Sequence, residues 1–174
     1  MQPVTSELFT YLAEEGVEYM PCGYGPDTEP EVFLPAVPGW VAVPPEMVPD
    51  VYIALANHEW AVAGWAPNAV VLHGRLSREL PADEILQRAH RDAARQDGWT
   101  EQVSSYEQWH GWPSLFLEGT YPLGDVELFA STRYVLLVAD GEQYLTQLTV
   151  TVLAQDRDEL YLDVATFDSD LAIA

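Results

Sequence analysis

The dipeptide Asp140-Gly141 separates two runs rich in β-branched and aromatic residues, Val126 to Val138 and Tyr144 to Leu153. Two such runs joined through Asp-Gly are the strongest short-range signal for a β-hairpin, because both central turn positions require positive φ. They are therefore predicted to be adjacent antiparallel strands. Along the second run Tyr144, Thr146, Leu148, Val150 and Val152 alternate with Leu145, Gln147, Thr149 and Thr151, so one face is apolar and the other mixed. A sheet of this kind needs a covering layer, and the rest of the chain supplies helices to build it.

Thr5-Ser6 before Leu8, Tyr11 and Leu12 reads as a capped amphipathic helix that stops at Gly16. A second helix is predicted over Asp83 to Gln96. Pro81 lies in its first turn, Asp83 and Glu84 complement its dipole, and Glu84 and Arg88 stand four residues apart. Ile85, Leu86, Ala89 and Ala93 form its apolar stripe, and Gly98 closes it. A third helix is predicted near the end. Asp156 and Glu159 have capping-box spacing, and Leu160, Val164, Phe167 and Leu171 share a face. Between helices, Val51 to Leu55, Ala69 to Leu72, Trp99 to Trp109 and Leu115 to Tyr121 read as strands, and Val32-Phe33-Leu34 as a proline-bounded edge strand. Hairpins interspersed with helices imply an α+β fold, an antiparallel sheet covered by helices. With no repeat or linker in sight, 1–174 reads as one domain.

Charge removes several functions. The chain carries 28 acidic residues against seven basic ones, a formal net charge of -21, and all seven are arginine. Nucleic-acid binding needs clustered cations and is not expected. A P-loop and Schiff-base chemistry both need a lysine, which the chain lacks. No apolar run approaches the roughly 20 residues of a membrane span, and the start shows no basic segment followed by an apolar one. As written the chain reads as cytoplasmic; a cell-envelope location requires that a leader was removed.

The search for a catalytic centre returns nothing. His58, His73, His90 and His110 fit no zinc motif, and a lone Cys22 offers no C-x-x-C pair. His90 and Asp92, two apart on a helix, point to different sides. No G-x-S-x-G elbow or glycine-rich phosphate loop occurs. The expectation is a protein that is not an enzyme and uses neither cofactor nor metal. The positive signal is aromatic. Trp60 and Trp65 lie in one predicted loop, and Trp109 and Trp112 flank Gly111 in another. With Tyr52 and His73 these four are the candidate ligand-binding residues, since loop aromatics suit apolar ligands, sugars and protein hot spots. The alternative is that all four pack under their loops as a satellite core.

The order of several segments is recognisable. Val32-Phe33-Leu34-Pro35 and Pro38-Gly39-Trp40 are followed by Pro67-Asn68-Ala69-Val70-Val71-Leu72 and Pro81-Ala82-Asp83-Glu84-Ile85-Leu86. Leu117-Glu118-Gly119-Thr120-Tyr121 and Tyr144-Leu145-Thr146-Gln147-Leu148-Thr149 come next. This string, from about Leu8 to Ile173, resembles the LpqN/LpqT lipoproteins of actinobacterial cell envelopes. The resemblance implies a PsbP-like α/β/α sandwich. It also implies a non-enzymatic accessory role, binding an apolar or acylated-sugar ligand of the envelope or a protein partner. No catalytic residue is carried over. A protein-interaction module, a chaperone or adaptor using an acidic face or a sheet edge, is the competing expectation.

Overall fold

The computed structural model describes residues 6–24 and 30–174. Its elements run α1 (Glu7–Glu14), β1 (Tyr19–Pro21), β2 (Val32–Phe33), β3 (Val41–Ala42), β4 (Ile53–Ala56), β5 (Asn68–Leu76), α2 (Ala82–Ala94), β6 (Thr100–Ser105), β7 (Ser114–Leu123), β8 (Val126–Ala139), β9 (Glu142–Leu153), α3 (Arg157–Ser169) and β10 (Ala172–Ile173). Eight strands form one antiparallel sheet in the order β3-β4-β5-β9-β8-β7-β6, with β1 beside the far half of β5. The fold is α+β, as the segment order implies.

Asp140 and Gly141 both take positive φ, 51° and 78°, and Ala139 pairs with Glu142 across them. This is the two-residue turn that the dipeptide demands, and β8 and β9 are the longest partners in the sheet. The two faces of β9 belong to two cores. Leu145 joins Leu8, Leu12, Ile85, Leu86 and Ala89 beneath α1 and α2. Leu148, Val150 and Val152 join Leu160, Val164 and Phe167 of α3. The sheet thus lies between helical layers.

Asp92 of α2 builds the start of α1. It accepts from Ser6 Oγ and the Glu7 amide, each at 2.6 Å, and from the Leu8 amide at 3.2 Å. Ser6 in turn accepts from the Phe9 amide and is the N-cap; Thr5 lies outside the described residues. Three local expectations change. Pro81 is the N-cap of α2, one position before its first turn. Asp156 makes no capping bond, because the 3-10 turn Ala154–Asp156 runs straight into α3 and brings the backbone in already helical. Val32–Phe33 pairs with β10 in a separate two-stranded ribbon instead of edging the main sheet.

Candidate functional site: an apolar groove at the start of helix α2

Trp109-His110-Gly111-Trp112 forms a miniature hairpin. His110 and Gly111 take φ of 48° and 84°, and the two tryptophan backbones exchange hydrogen bonds of 2.9 Å each way. Val62-Ala63-Gly64-Trp65 repeats the geometry, with φ of 51° and 80° at its centre. The sheet nevertheless separates the two. Each hairpin precedes the start of a strand, β5 for one and β7 for the other. The successive pairings β5-β9, β9-β8 and β8-β7 are all antiparallel, so β5 and β7 run in opposite directions. The four loop tryptophans therefore lie at two ends of the sheet and do not form one surface.

Their side chains differ as well. Trp60, on a 3-10 turn capped by Asn57, packs against the α3-side core. Trp109 packs against the same core and against Val135, Leu137 and Tyr144. Trp65 is half-buried. Trp112 is exposed and lines an open groove of about 610 Å³. One wall is Trp112 and Pro113, the other is Glu79-Leu80-Pro81-Ala82 at the entry to α2, and the floor is Leu136, Val138 and Gln143. Val138 is also exposed.

Hydrogen bonds hold both walls. The buried Gln143 amide accepts from the Leu80 N–H at 2.9 Å and donates to the Leu80 carbonyl at 3.0 Å. The Pro113 carbonyl accepts from the Leu136 amide at 3.0 Å. Such an apolar trough on a hydrogen-bonded frame can hold an aliphatic chain without rearranging. Sequence reasoning found Trp112 but missed Leu80, Pro81, Pro113, Val138 and Gln143. The apolar pair Leu80-Pro81 just before a helix was the available signal.

Tyr52 and His73 come together inside the protein, 3% and 1% exposed, with their rings edge to face at 5.2 Å. His73 also stacks on Tyr144. Its Nε2 donates to the Pro30 carbonyl at 3.1 Å, since a carbonyl can only accept, and its Nδ1 then accepts from the Thr146 hydroxyl at 2.8 Å. Burial pulls its pKa down to about 4, only partly offset by the Pro30 bond. A neutral imidazole with both nitrogens engaged is a core residue.

His90 and Asp92 do diverge. His90 lies between the Tyr106 hydroxyl at 2.7 Å and Glu101 at 2.5 Å, tying α2 to the sheet's outer strand, while Asp92 caps α1. Under α3, Arg133 grips both Asp168 oxygens at 2.5 and 2.8 Å and donates to Ser114 at 3.0 Å. Nearby, burial pushes the Glu118 carboxyl upward. Burial likewise raises the half-buried Cys22 thiol, which leaves it a poor nucleophile. Among the described residues no three His, Cys, Asp or Glu side chains are placed to hold a metal ion. No helix among them is long and apolar enough to cross a membrane.

An antiparallel sheet between helical layers, with a shallow apolar groove at one helix entry, defines a PsbP-like α+β sandwich protein. The chain belongs to the family described as "Probable lipoprotein LpqN", which matches residues 4–174. The crystal structure of LpqN of Mycobacterium tuberculosis, described as involved in cell envelope biogenesis, superposes with a TM-score of 0.82 at 19% identity, over 94% of this chain and 95% of that one. Cyanobacterial PsbP from Synechocystis superposes with a TM-score of 0.51 at 13% identity, over 91% and 92%. In sequence the chain is 28% identical to the proline-rich 28 kDa antigen of Mycobacterium tuberculosis over 151 residues, 85% of this chain but 47% of the antigen. It is 26% identical to LpqT of the same organism over 171 residues, 96% and 73% of the two chains. The chain thus spans about half the length of the antigen it matches.

Proposed function

We propose that this protein is a non-enzymatic accessory protein of the cell envelope that holds the aliphatic chain of an uncharged, acylated ligand in the Trp112 groove. One observation carries the reading: Trp112 and Val138, both exposed, line the same groove as Leu136, which is 2% exposed. Family membership and the envelope role described for LpqN support the location. The groove offers no catalytic constellation, so its work is retention and presentation.

Sucrose monolaurate, kept below its micelle threshold, is a suitable probe. Titration should give saturable binding that Trp112→Ala weakens about tenfold or more, since burying one large apolar side chain contributes about 1.5–3 kcal/mol. Thermal stability should change little, because Trp112 is exposed. Unchanged affinity in the variant would exclude the groove. A second reading, a protein-docking edge, is favoured by β6. Among the described residues it pairs on one side only, with β7, and it is exposed from Thr100 to Ser104. Pull-down that survives Trp112→Ala but is lost on adding proline within β6 would favour it instead.

A further inference from the structure

The edge of a β-sheet offers a row of free N–H and C=O groups, and natural edges are commonly blunted by shortness, proline or lysine. Of the three outer strands that the described residues give the main sheet, two are blunted in this way. β3 has two residues and is soon followed by Pro44-Pro45, and β1 has three residues and ends in Pro21. β6 is different. It has six residues, Thr100 to Ser105, with no proline and no lysine. Apart from the ladder to β7, no backbone group from Thr100 to Ser104 is hydrogen-bonded to a described residue.

Side chains hold this edge still from both faces of the sheet. On the α2 face His90 bonds Glu101 and, just past the strand, Tyr106. On the α3 face Arg157 donates to Gln102 at 2.6 Å. Gln102 is the extra residue where the ladder slips, because Glu101 pairs with Gly119 and Val103 with Glu118. The bulge is thereby pinned. An extended segment adding to β6 meets a backbone already in strand conformation, so little ordering cost falls on this side.

The surroundings select the charge of that segment. Glu101 and Glu107 bracket the edge, and Asp158 and Glu159 follow directly on the Arg157 that touches Gln102. Glu107, Asp158 and Glu159 are exposed and make no ion pair with a described residue. A second copy of the chain would bring the same carboxylates and another net charge of -21, and the field opposes it. A segment carrying Lys or Arg is attracted, and Val103, 41% exposed, gives its apolar side chains a contact. We propose that β6 takes an extended, lysine- or arginine-bearing segment of another protein as an added strand. The proposal rests on the reading of β6 as a docking edge and is independent of the Trp112 groove.

The probes are the capped peptides Lys-Val-Lys-Val-Lys-Val-Lys and Glu-Val-Glu-Val-Glu-Val-Glu, titrated into the full chain and followed by NMR shifts and amide hydrogen exchange. The lysine peptide should bind saturably, at least about tenfold more tightly than the glutamate peptide. It should also slow exchange at those amides of Thr100 to Ser105 that point away from β7. Val103→Lys sets a like charge on the edge and should weaken the lysine peptide about tenfold. Thermal stability should change little, because Val103 is exposed. Equal protection by both peptides would leave β6 a docking edge but overturn its basic partner. No saturable binding, or binding that leaves the β6 amides exchanging freely, would overturn the edge itself.

Discussion

Protonating His73 means placing a positive charge among Tyr52, Tyr144, a threonine hydroxyl and a carbonyl already taken. Its pKa of about 4 lies below the ordinary value of 6.5. Between those values the unfolded chain takes up a proton that the folded chain refuses, so stability falls as pH falls through this window. Below about pH 4 both states are protonated and the loss stops growing. A difference of roughly two and a half pKa units corresponds to about 3 kcal/mol. At 1% exposure solvent does little to reduce it. Neutralising part of the 28 acidic residues relieves self-repulsion and acts in the opposite direction. The test is therefore a difference. Urea unfolding of the wild type and of His73→Gln, which keeps an amide donor for Pro30 and does not titrate, should be compared from about pH 7 to about pH 4. The wild type should lose about 3 kcal/mol more than the variant across this range. A constant difference between the two would refute the argument that burial holds His73 neutral.

Gly119→Ala should cost about 1–3 kcal/mol in thermal unfolding, because the added Cβ would lie 2.5 Å from the Trp99 ring and 2.6 Å from the Thr100 carbonyl. A side chain can swing away but a paired strand's backbone cannot, and an unchanged melting point would show that β6 is not held there. Asp92→Asn removes the carboxylate that faces the positive end of α1 and should cost about 1 kcal/mol. Hydrogen exchange should speed up at the Glu7 and Leu8 amides, and protection equal to wild type would mean that the cap lies elsewhere.

The parts of the fold legible in the sequence are those fixed by local chemistry. Asp140-Gly141 dictates its turn, and Ile85, Leu86 and Ala89 show which side of α2 is buried. What could not be read is long-range pairing. Nothing near β5 announces that β9, some 75 residues on in the chain, lies beside it through the His73–Thr146 pairing. That single pairing decides where the loops end up, which is why the two tryptophan hairpins looked like one surface. The burial of His73 was legible in part. It follows Ala69 and Val71 at alternate positions of one strand, and both have no exposure at all. Alternation continued to position 73 would have placed His73 in the core, against the reading that took it for a ligand-binding residue. At Asp156 the capping-box spacing was present but idle, because a cap is needed only where the chain enters a helix from an extended conformation.

The arginines bear on what the Trp112 groove can accept. Arg75 pairs with Glu142, Arg78 with Glu15, Arg88 with Glu84, and Arg91 and Arg95 both with Glu7. Arg133 grips Asp168, and Arg157 bonds Gln102 while lying over the Phe129 ring at 4.1 Å. Every arginine of the chain is therefore already engaged inside the molecule, and there is no lysine to add another side-chain cation. An anionic headgroup would have to displace one of these contacts and approach against the field of 28 carboxylates. A neutral acyl chain in the Trp112 groove meets no such cost. The field falls off over about 10 Å at moderate salt. Exclusion of fatty-acid anions relative to neutral acyl sugars should therefore be strong at low ionic strength and fade as salt is added. A preference insensitive to salt would place discrimination in the shape of the groove instead of the charge around it.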